Sequence, residues 1–232
     1  MISVIIPVYN EVAFIGKTIS YLKAVSGRDM ISEIIVVDGG SSDDTISEAE
    51  KEGARVVESR RKGRAAQMNV GAGVALGDIL YFVHADSLPP ASFPHDIMEA
   101  VNNGFSMGCY RLRFDLNHWF LKANAWFTRF DINAFRYGDQ SLFVTKEIFR
   151  KTKGFCEKHV VMEDQDIIKR LRQYGKFAII PKEITTSARK YTVNGVFKMQ
   201  GIFYLMYFLY QLGVSQQRLL ALFRMLVRQD KL

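Results

Sequence analysis

Short, continuous apolar runs alternate with amphipathic stretches through the first third of the chain. Ile2–Val8 (ISVIIPV), Glu33–Val37 (EIIVV) and Ile79–Val83 (ILYFV) are rich in β-branched residues, and Ala54–Glu58 (ARVVE) is a weaker fourth run. Runs without polar interruption suit strands buried on both faces, as in a parallel sheet. The intervening Glu11–Ala24, Asp43–Glu52 and Arg64–Leu76 read as helices, the second started by Ser42 or Asp43 as a cap. This alternation predicts an α/β fold with a doubly wound, mostly parallel sheet flanked by helices. Such sheets bind ligands at the carboxyl ends of their strands.

The second half is less regular. Ser106–Phe114 alternates like a strand, Trp119–Phe130 reads as an aromatic-rich helix, and Ser141–Thr145 as a strand. Met162–Gln173 reads as a helix and Phe177–Ile180 as a short strand. From Val196 the chain turns strongly apolar, with helices expected at Phe197–Gln211 and, after Gly213 with Ser215 as cap, at Gln216–Arg228. One domain over 1–195 with a C-terminal helical appendage over 196–232 is the organisation expected, and 232 residues suffice for one sizeable core.

Charge changes this picture mainly at the tail. The chain carries +7, and from Arg189 onward seven cations (the last being Lys231) face Asp230 alone, so nearly all the excess lies there. Such a block suits nucleic acid, anionic lipid or phosphorylated substrates. The tail's aromatics sit in an apolar run instead of interleaving with a basic face, which disfavours nucleic acid. Ile202–Tyr210 (IFYLMYFLY) is apolar on every side, so it packs on the domain, pairs with a second copy as a homodimer, or meets lipid. Cys109 and Cys156 imply no disulfide framework and fit a reducing compartment. The opening residues lack a basic flank, and no run reaches the ~18 apolar residues of a membrane span. A cytoplasmic protein, with peripheral contact at the inner face of the membrane, is the expectation.

Three polar clusters fall where the early strands end: Tyr9-Asn10-Glu11, Asp38-Gly39-Gly40-Ser41 and His84-Ala85-Asp86. Asp38 meets a Gly-Gly turn that lets a ligand approach the backbone, though a strand-end Asp also caps turns. With VIIPVYNE (Val4–Glu11), VVDGGSSDDT (Val36–Thr45), GRAAQMNVGAGVALGD (Gly63–Asp78), TKEIFRKTKGF (Thr145–Phe155) and MEDQDIIKRL (Met162–Leu171), the chain resembles the family 2 glycosyltransferases of GT-A fold.

The resemblance implies transfer of a sugar, usually with inversion, from a nucleoside-diphosphate donor, commonly a UDP-sugar, to a hydroxyl acceptor. Asp38 and Gly39 would face the base, with Pro7, Tyr9 and Glu11 as the other wall. His84-Ala85-Asp86 stands where the family usually has Asp-x-Asp. Asp86 matches the metal-contacting acid for Mn²⁺ or Mg²⁺, while His84 departs from the pattern. Arg64 can fork onto phosphate, and Arg189, with Ser187 and Lys190, can close over the diphosphate. Asp164 is the implied general base, with Glu163 as an orienting or acceptor contact, although acids at a helix start also simply complement its dipole. Asp166 and Arg170 have the spacing of a structural i,i+4 pair. Gly138, Asp139 and Gln140 line the acceptor side or form a turn before a strand. The tail motivates a lipid-linked acceptor. Two other readings compete: a sugar-phosphate nucleotidyltransferase, disfavoured because no Gly-rich basic loop follows the first strand, and a non-catalytic membrane or nucleic-acid binder.

Overall fold

All seven residues of β1 (Ile2–Val8) are buried, as its unbroken apolar run requires of a central strand. Its one polar side chain, Ser3, is satisfied by donating to Glu33 Oε1 at 2.9 Å and accepting from the Gly77 amide at 2.9 Å. The computed structural model describes residues 1–27 and 30–228, so Asp230 and Lys231 of the basic tail lie outside the described residues.

β1 pairs in parallel with β2 (Ile31–Asp38) and with β4 (Ile79–Phe82), and β2 with β3 (Arg55–Glu58). Helices α1 (Val12–Val25), α2 (Thr45–Lys51) and α3 (Arg64–Val74) supply the crossovers. The residue that caps α2 is Asp44, without a side-chain cap bond, and not Ser42 or Asp43; Asp43, just before it, accepts from the Thr45 amide at 3.1 Å. At Gly71 a Cβ would come within 2.5 Å of Ile5 Cγ2, so only glycine lets α3 lie this close on β1. The sheet continues as β3-β2-β1-β4-β7-β6-β8-β5, with β5 (Ser87–Leu88), β6 (Phe105–Phe114), β7 (Leu142–Thr145) and β8 (Lys176–Thr186). β7 is antiparallel to both β4 and β6, β5 is antiparallel to β8, and β6 and β8 are parallel.

Several elements differ from expectation. β8 does not stop at Ile180 but runs on to Thr186. The register shifts there: Tyr110 faces Ile180 and the next residue, Arg111, faces Glu183. Pro181, which has no amide to donate, thus sits in a bulge. The aromatic helix α5 (Trp119–Trp126) gives way at Phe127–Arg129 to a 3₁₀ turn. Three helices were not foreseen: α4 (Phe93–Asn102), α6 (Lys146–Lys151) and α8 (Arg189–Asn194). α7 (Glu163–Leu171), α9 (Val196–Gln211) and α10 (Gln216–Leu226) lie where the sequence places helices, but Ser215 starts α10 without a side-chain cap bond.

Two apolar cores fill the two sides of the sheet, one including Ile15, Tyr81 and Phe93, the other Met68, Phe82 and Ile167. A third core joins the tail to the domain: Met199, Ile202 and Met206 of α9 and Leu219 and Phe223 of α10 pack with Leu121, Val161 and Tyr191.

Candidate active site

The carboxyl ends of β1, β2 and β4 open onto one cavity of about 780 Å³. Pro7, Tyr9, Glu11, Gly39, Arg64, His84, Asp86, Gly138, Asp139, Glu163, Asp164, Ser187, Arg189 and Lys190 all line it, so fourteen of the sixteen candidate site residues named from the sequence converge on one space.

Two do not. Asp38 is 2% exposed and its carboxylate turns back on its own loop, accepting from the amides of Gly40 (2.7 Å) and Ser41 (2.9 Å) and from Ser41 Oγ (2.5 Å). Turn capping, not the cavity wall, is where this side chain is used. Gln140 is 1% exposed; its side chain donates to the Tyr110 carbonyl at 3.0 Å and accepts from the Tyr137 amide at 3.0 Å. It ties a turn to β6 and faces no ligand space. Gln67, absent from those candidates, lines the cavity instead, its Nε2 donating to the carbonyls of Val8 (2.7 Å) and Val37 (2.8 Å). It clamps together the strand ends that carry the site.

The charged groups are arranged in pairs. Arg189, at the start of α8, donates to both oxygens of Glu11 at 2.7 Å each, and its Nη2 lies 3.1 Å from Asp86 Oδ2. Its guanidinium also lies over the Phe14 ring, 4.7 Å from the centroid. His84 Nδ1 and Asp139 Oδ1 are 3.0 Å apart. Burial alone would raise the Asp139 carboxyl, but the bond and charge of His84 override it and bring it down to about 2. Burial opposes protonation of His84, yet Asp139 outweighs it and raises the imidazole above its ordinary value. Burial, then the Asp139 charge, raise Asp86 against the opposing pull of Arg189.

Arg64, the first residue of α3, forms an ion pair of 2.8 Å with Glu163, which is 1% exposed on side-chain area. Beside Glu163, Asp164 is pushed up to about 6, first by burial and then by the Glu163 charge, with Arg64 and His84 opposing. A Cβ on Gly138 would come within 2.3 Å of Asp164 Oδ2 and 3.0 Å of His84 Cε1. A side chain at 138 would therefore displace the Asp164 carboxylate or the turn. Asp166 faces away and takes Arg170 at 2.7 Å, the structural pairing read from its spacing.

Asn10, Ser141 and Met162 adopt left-handed backbone (φ 54°, 61° and 64°), three of the four non-glycine residues to do so among those described. They flank Glu11, Gln140 and Glu163 respectively, so left-handed backbone concentrates around the cavity.

Opposite this polar wall the cavity is roofed by apolar side chains. Phe203, Met206 and Tyr207 of α9 and Leu220 and Phe223 of α10 close it from the C-terminal side, with Leu112 and Phe114 beneath. Lys190 and Arg224 place cations at its margin.

Among the described residues no three His, Cys, Asp or Glu side chains converge as a ready-made ligand set for a metal. Mg²⁺-like ions are held by one or two carboxylates together with phosphate oxygens and water. Asp86 at the cavity wall fits that pattern once a diphosphate is present and Arg189 yields. Asp139 engages His84 Nδ1, which leaves Nε2 as the imidazole nitrogen for a ligand.

The glycosyl transferase family 2 model matches residues 3–160. The glucosyl-3-phosphoglycerate synthase of Mycobacterium tuberculosis is 37% identical over 97 residues, covering 38% of this chain and 30% of that protein. An undecaprenyl-phosphate 4-deoxy-4-formamido-L-arabinose transferase of Aeromonas hydrophila is 32% identical over 134 residues, covering 53% of this chain and 40% of its own. Each match thus spans well under two thirds of the relative's length. A structure of the mycobacterial synthase with Mn²⁺, UDP and glucosyl-3-phosphoglycerate superposes with a TM-score of 0.66 at 20% identity, covering 93% of this chain and 81% of that one. The mannosyltransferase of Pyrobaculum calidifontis, with GDP-Man and Mn²⁺, gives 0.70 at 17% identity, covering 90% and 61%. These structures share the GT-A fold, and with the family model spanning more than half of its length, the chain belongs to glycosyltransferase family 2.

Proposed function

We propose that this chain transfers a sugar from a UDP-sugar to a hydroxyl of an acceptor with a substantial apolar part, with inversion at the anomeric carbon and Asp164 as general base. The observation that carries the reading is the placement of Asp164. It is a carboxylate with a raised proton affinity, set between a polar wall with cations for a diphosphate and an apolar compartment for an acceptor. The acceptor O–H gives its proton to Asp164, the oxygen bonds to the anomeric carbon, and the bond to the diphosphate breaks. A base with a pKa near the working pH is better matched to this transfer than an ordinary carboxylate. Arg64 and Arg189 stand where they offset charge building on the leaving diphosphate. A Mn²⁺ or Mg²⁺ ion held by Asp86 and the diphosphate would add Lewis-acid stabilisation of the same charge.

UDP as the donor nucleotide is supported by its presence in the mycobacterial synthase complex, and an apolar acceptor by the roof and by the relative named for undecaprenyl phosphate. No helix among the described residues is long and apolar enough to cross a membrane. In this reading the C-terminal helices touch the bilayer peripherally, as their apolar and basic composition suits.

Calorimetric titration with UDP and GDP, with and without Mn²⁺, tests the donor site. UDP is expected to bind more tightly with Mn²⁺, and Asp86→Ala to abolish the metal's contribution. If no nucleoside diphosphate binds under any condition, the transferase reading fails. Equal binding in Asp86→Ala removes Asp86 from the metal's role.

A further inference from the structure

The cavity opens beside an apolar surface built from two elements distant in sequence. Along α9, Phe197, Tyr204, Leu205, Phe208 and Leu212 are 40–64% exposed. Their spacing of 7, 8, 11 and 15 residues from Phe197 puts them on one helical stripe. On α5 and the turn after it, Trp119, Trp126, Phe127 and Phe130 are 40–68% exposed, and the Trp126 ring meets those of Phe127 and Phe130 at centroid distances of 5.3 and 5.0 Å, which makes a second apolar stripe. The two stripes adjoin. Trp119 and Phe120 contact the Phe197 ring at centroid distances of 6.2 and 4.9 Å, and Tyr204 Oη donates to Asn124 Oδ1. Tyr204 and Asn124 also line the cavity, so this surface and the acceptor compartment are continuous. Contiguous exposed apolar area of this kind marks an interaction site.

Charge decides between the two occupants such a face could have. From Ser187 to Arg228 the chain carries six cations and no acidic residue. Exposed Lys122, Lys198 and Arg218 flank the stripes, and Arg129 lies over the Trp126 ring at 4.4 Å. The nearest acid in sequence, Asp131, is paired with Arg172. A two-fold dimer through this face would set the same cations against each other, because an isologous interface repeats one patch on both sides. An anionic bilayer answers both features. Trp, Tyr and Phe settle at the boundary between headgroups and acyl chains, and flanking Lys and Arg meet anionic headgroups.

We propose that the joint α5–α9 face, and not the tail helices alone, docks on an anionic membrane surface and holds the cavity mouth against it. This placement rests on the transferase reading only for its purpose, since the docking itself needs no catalysis.

The test is flotation of the full chain with vesicles of pure phosphatidylcholine and with vesicles containing about 30 mol% phosphatidylglycerol. Binding is expected on the anionic vesicles only, weakening as NaCl is raised from about 0.1 to 0.5 M because screening shortens the reach of the cations. The paired substitution Trp119→Glu with Phe208→Glu touches neither the cavity lining nor a buried core. It should lower vesicle binding by about tenfold or more, with UDP affinity unchanged as a check on folding. No flotation of the unaltered chain with anionic vesicles would overturn the proposal, as would full binding by the double variant. A stable dimer in sedimentation that the same double variant dissociates, without vesicle binding, would assign the face to a second copy and also overturn it. UDP binding without flotation would leave the transferase reading standing; flotation without UDP binding would remove that reading and keep the membrane face.

Discussion

The two sides of the cavity are built on opposite principles. On the wall from the sheet edge, charged groups are set against one another: Arg189 with Glu11 and Asp86, His84 with Asp139, Arg64 with Glu163. On the roof from α9 and α10, Phe203, Met206 and Phe223 offer area without direction. A diphosphate entering the wall must exchange partners with existing ion pairs, so recognition there is a difference between two sets of charged contacts. An apolar group entering the roof meets side chains already packed on one another, Phe203 on Tyr191 and Phe223, and gains by displacing water from the area they leave exposed. Substitutions on the wall should therefore act sharply and on particular steps, those on the roof gradually.

Asp164→Asn should show the largest effect. Loss of a general base removes on the order of 10²–10⁴ in rate, while UDP affinity should stay within about twofold because the cations that meet the diphosphate remain. Burial holds the Asp164 proton more tightly in the folded protein than in the unfolded chain, to about 6. The unaltered enzyme should thus gain activity as pH rises through about 6 and lose it below, where the base is protonated. The same shift makes ionisation of Asp164 costly to the fold: no cost exists below the ordinary carboxylate range, and it is fully present above the raised value. Asp164→Asn should consequently melt no lower than the unaltered protein at pH 8. Retained turnover in that variant would take the base role away from Asp164.

Gly138→Ala comes next. Its methyl would overlap Asp164 Oδ2, so the base or the turn must shift. A displacement near 1 Å costs about 10² in rate, with folding kept because Gly138 is at a cavity edge. An unchanged kcat would mean that this turn yields freely and that the wall is less fixed than its paired charges suggest.

The chain's own pattern made much of this legible, though unevenly. The parallel half could be read because Ile2–Val8 and its neighbours are buried on both faces, and burial on both faces writes an unbroken apolar run. The later strands hide their limits. β8 crosses Pro181 by a bulge whose existence depends on β6, which lies tens of residues away. α4 follows a Pro-Pro break that reads as a loop, although Pro94 in its first turn is a position helices tolerate. In the site, residue types at strand ends were informative, since Glu11, His84 and Asp86 reach one cavity, and so does Asp164 from the start of α7. Their partnerships were not: Arg189 and Glu11 are 178 positions apart. An Asp before Gly-Gly serves a turn and a ligand equally well in sequence, so the engagement of Asp38 by the Gly40 and Ser41 amides could not be read there. Gln67 could have been suspected solely as a polar residue on the buried face of α3.

The smallest effect is also the most diagnostic of the paired wall. Glu11→Gln keeps the shape of the side chain but removes the charge that holds Arg189 from both oxygens. If Arg189 is to meet a diphosphate, freeing it in advance should tighten UDP binding by a few-fold, roughly 1 kcal/mol or less, since part of the exchange no longer has to be made. The fold should lose a little stability at the same time, because a charge-assisted bidentate contact is replaced by a neutral one. Calorimetry of Glu11→Gln and Phe203→Leu side by side reads the contrast between wall and roof. The roof variant should leave UDP affinity within about twofold, as a near volume-conserving apolar change remote from charge. A fall in UDP affinity of tenfold or more in Glu11→Gln would show instead that Glu11 itself holds the donor, as its position after β1 also allows. A comparable fall in Phe203→Leu would break the division of the cavity into a directional and a non-directional side.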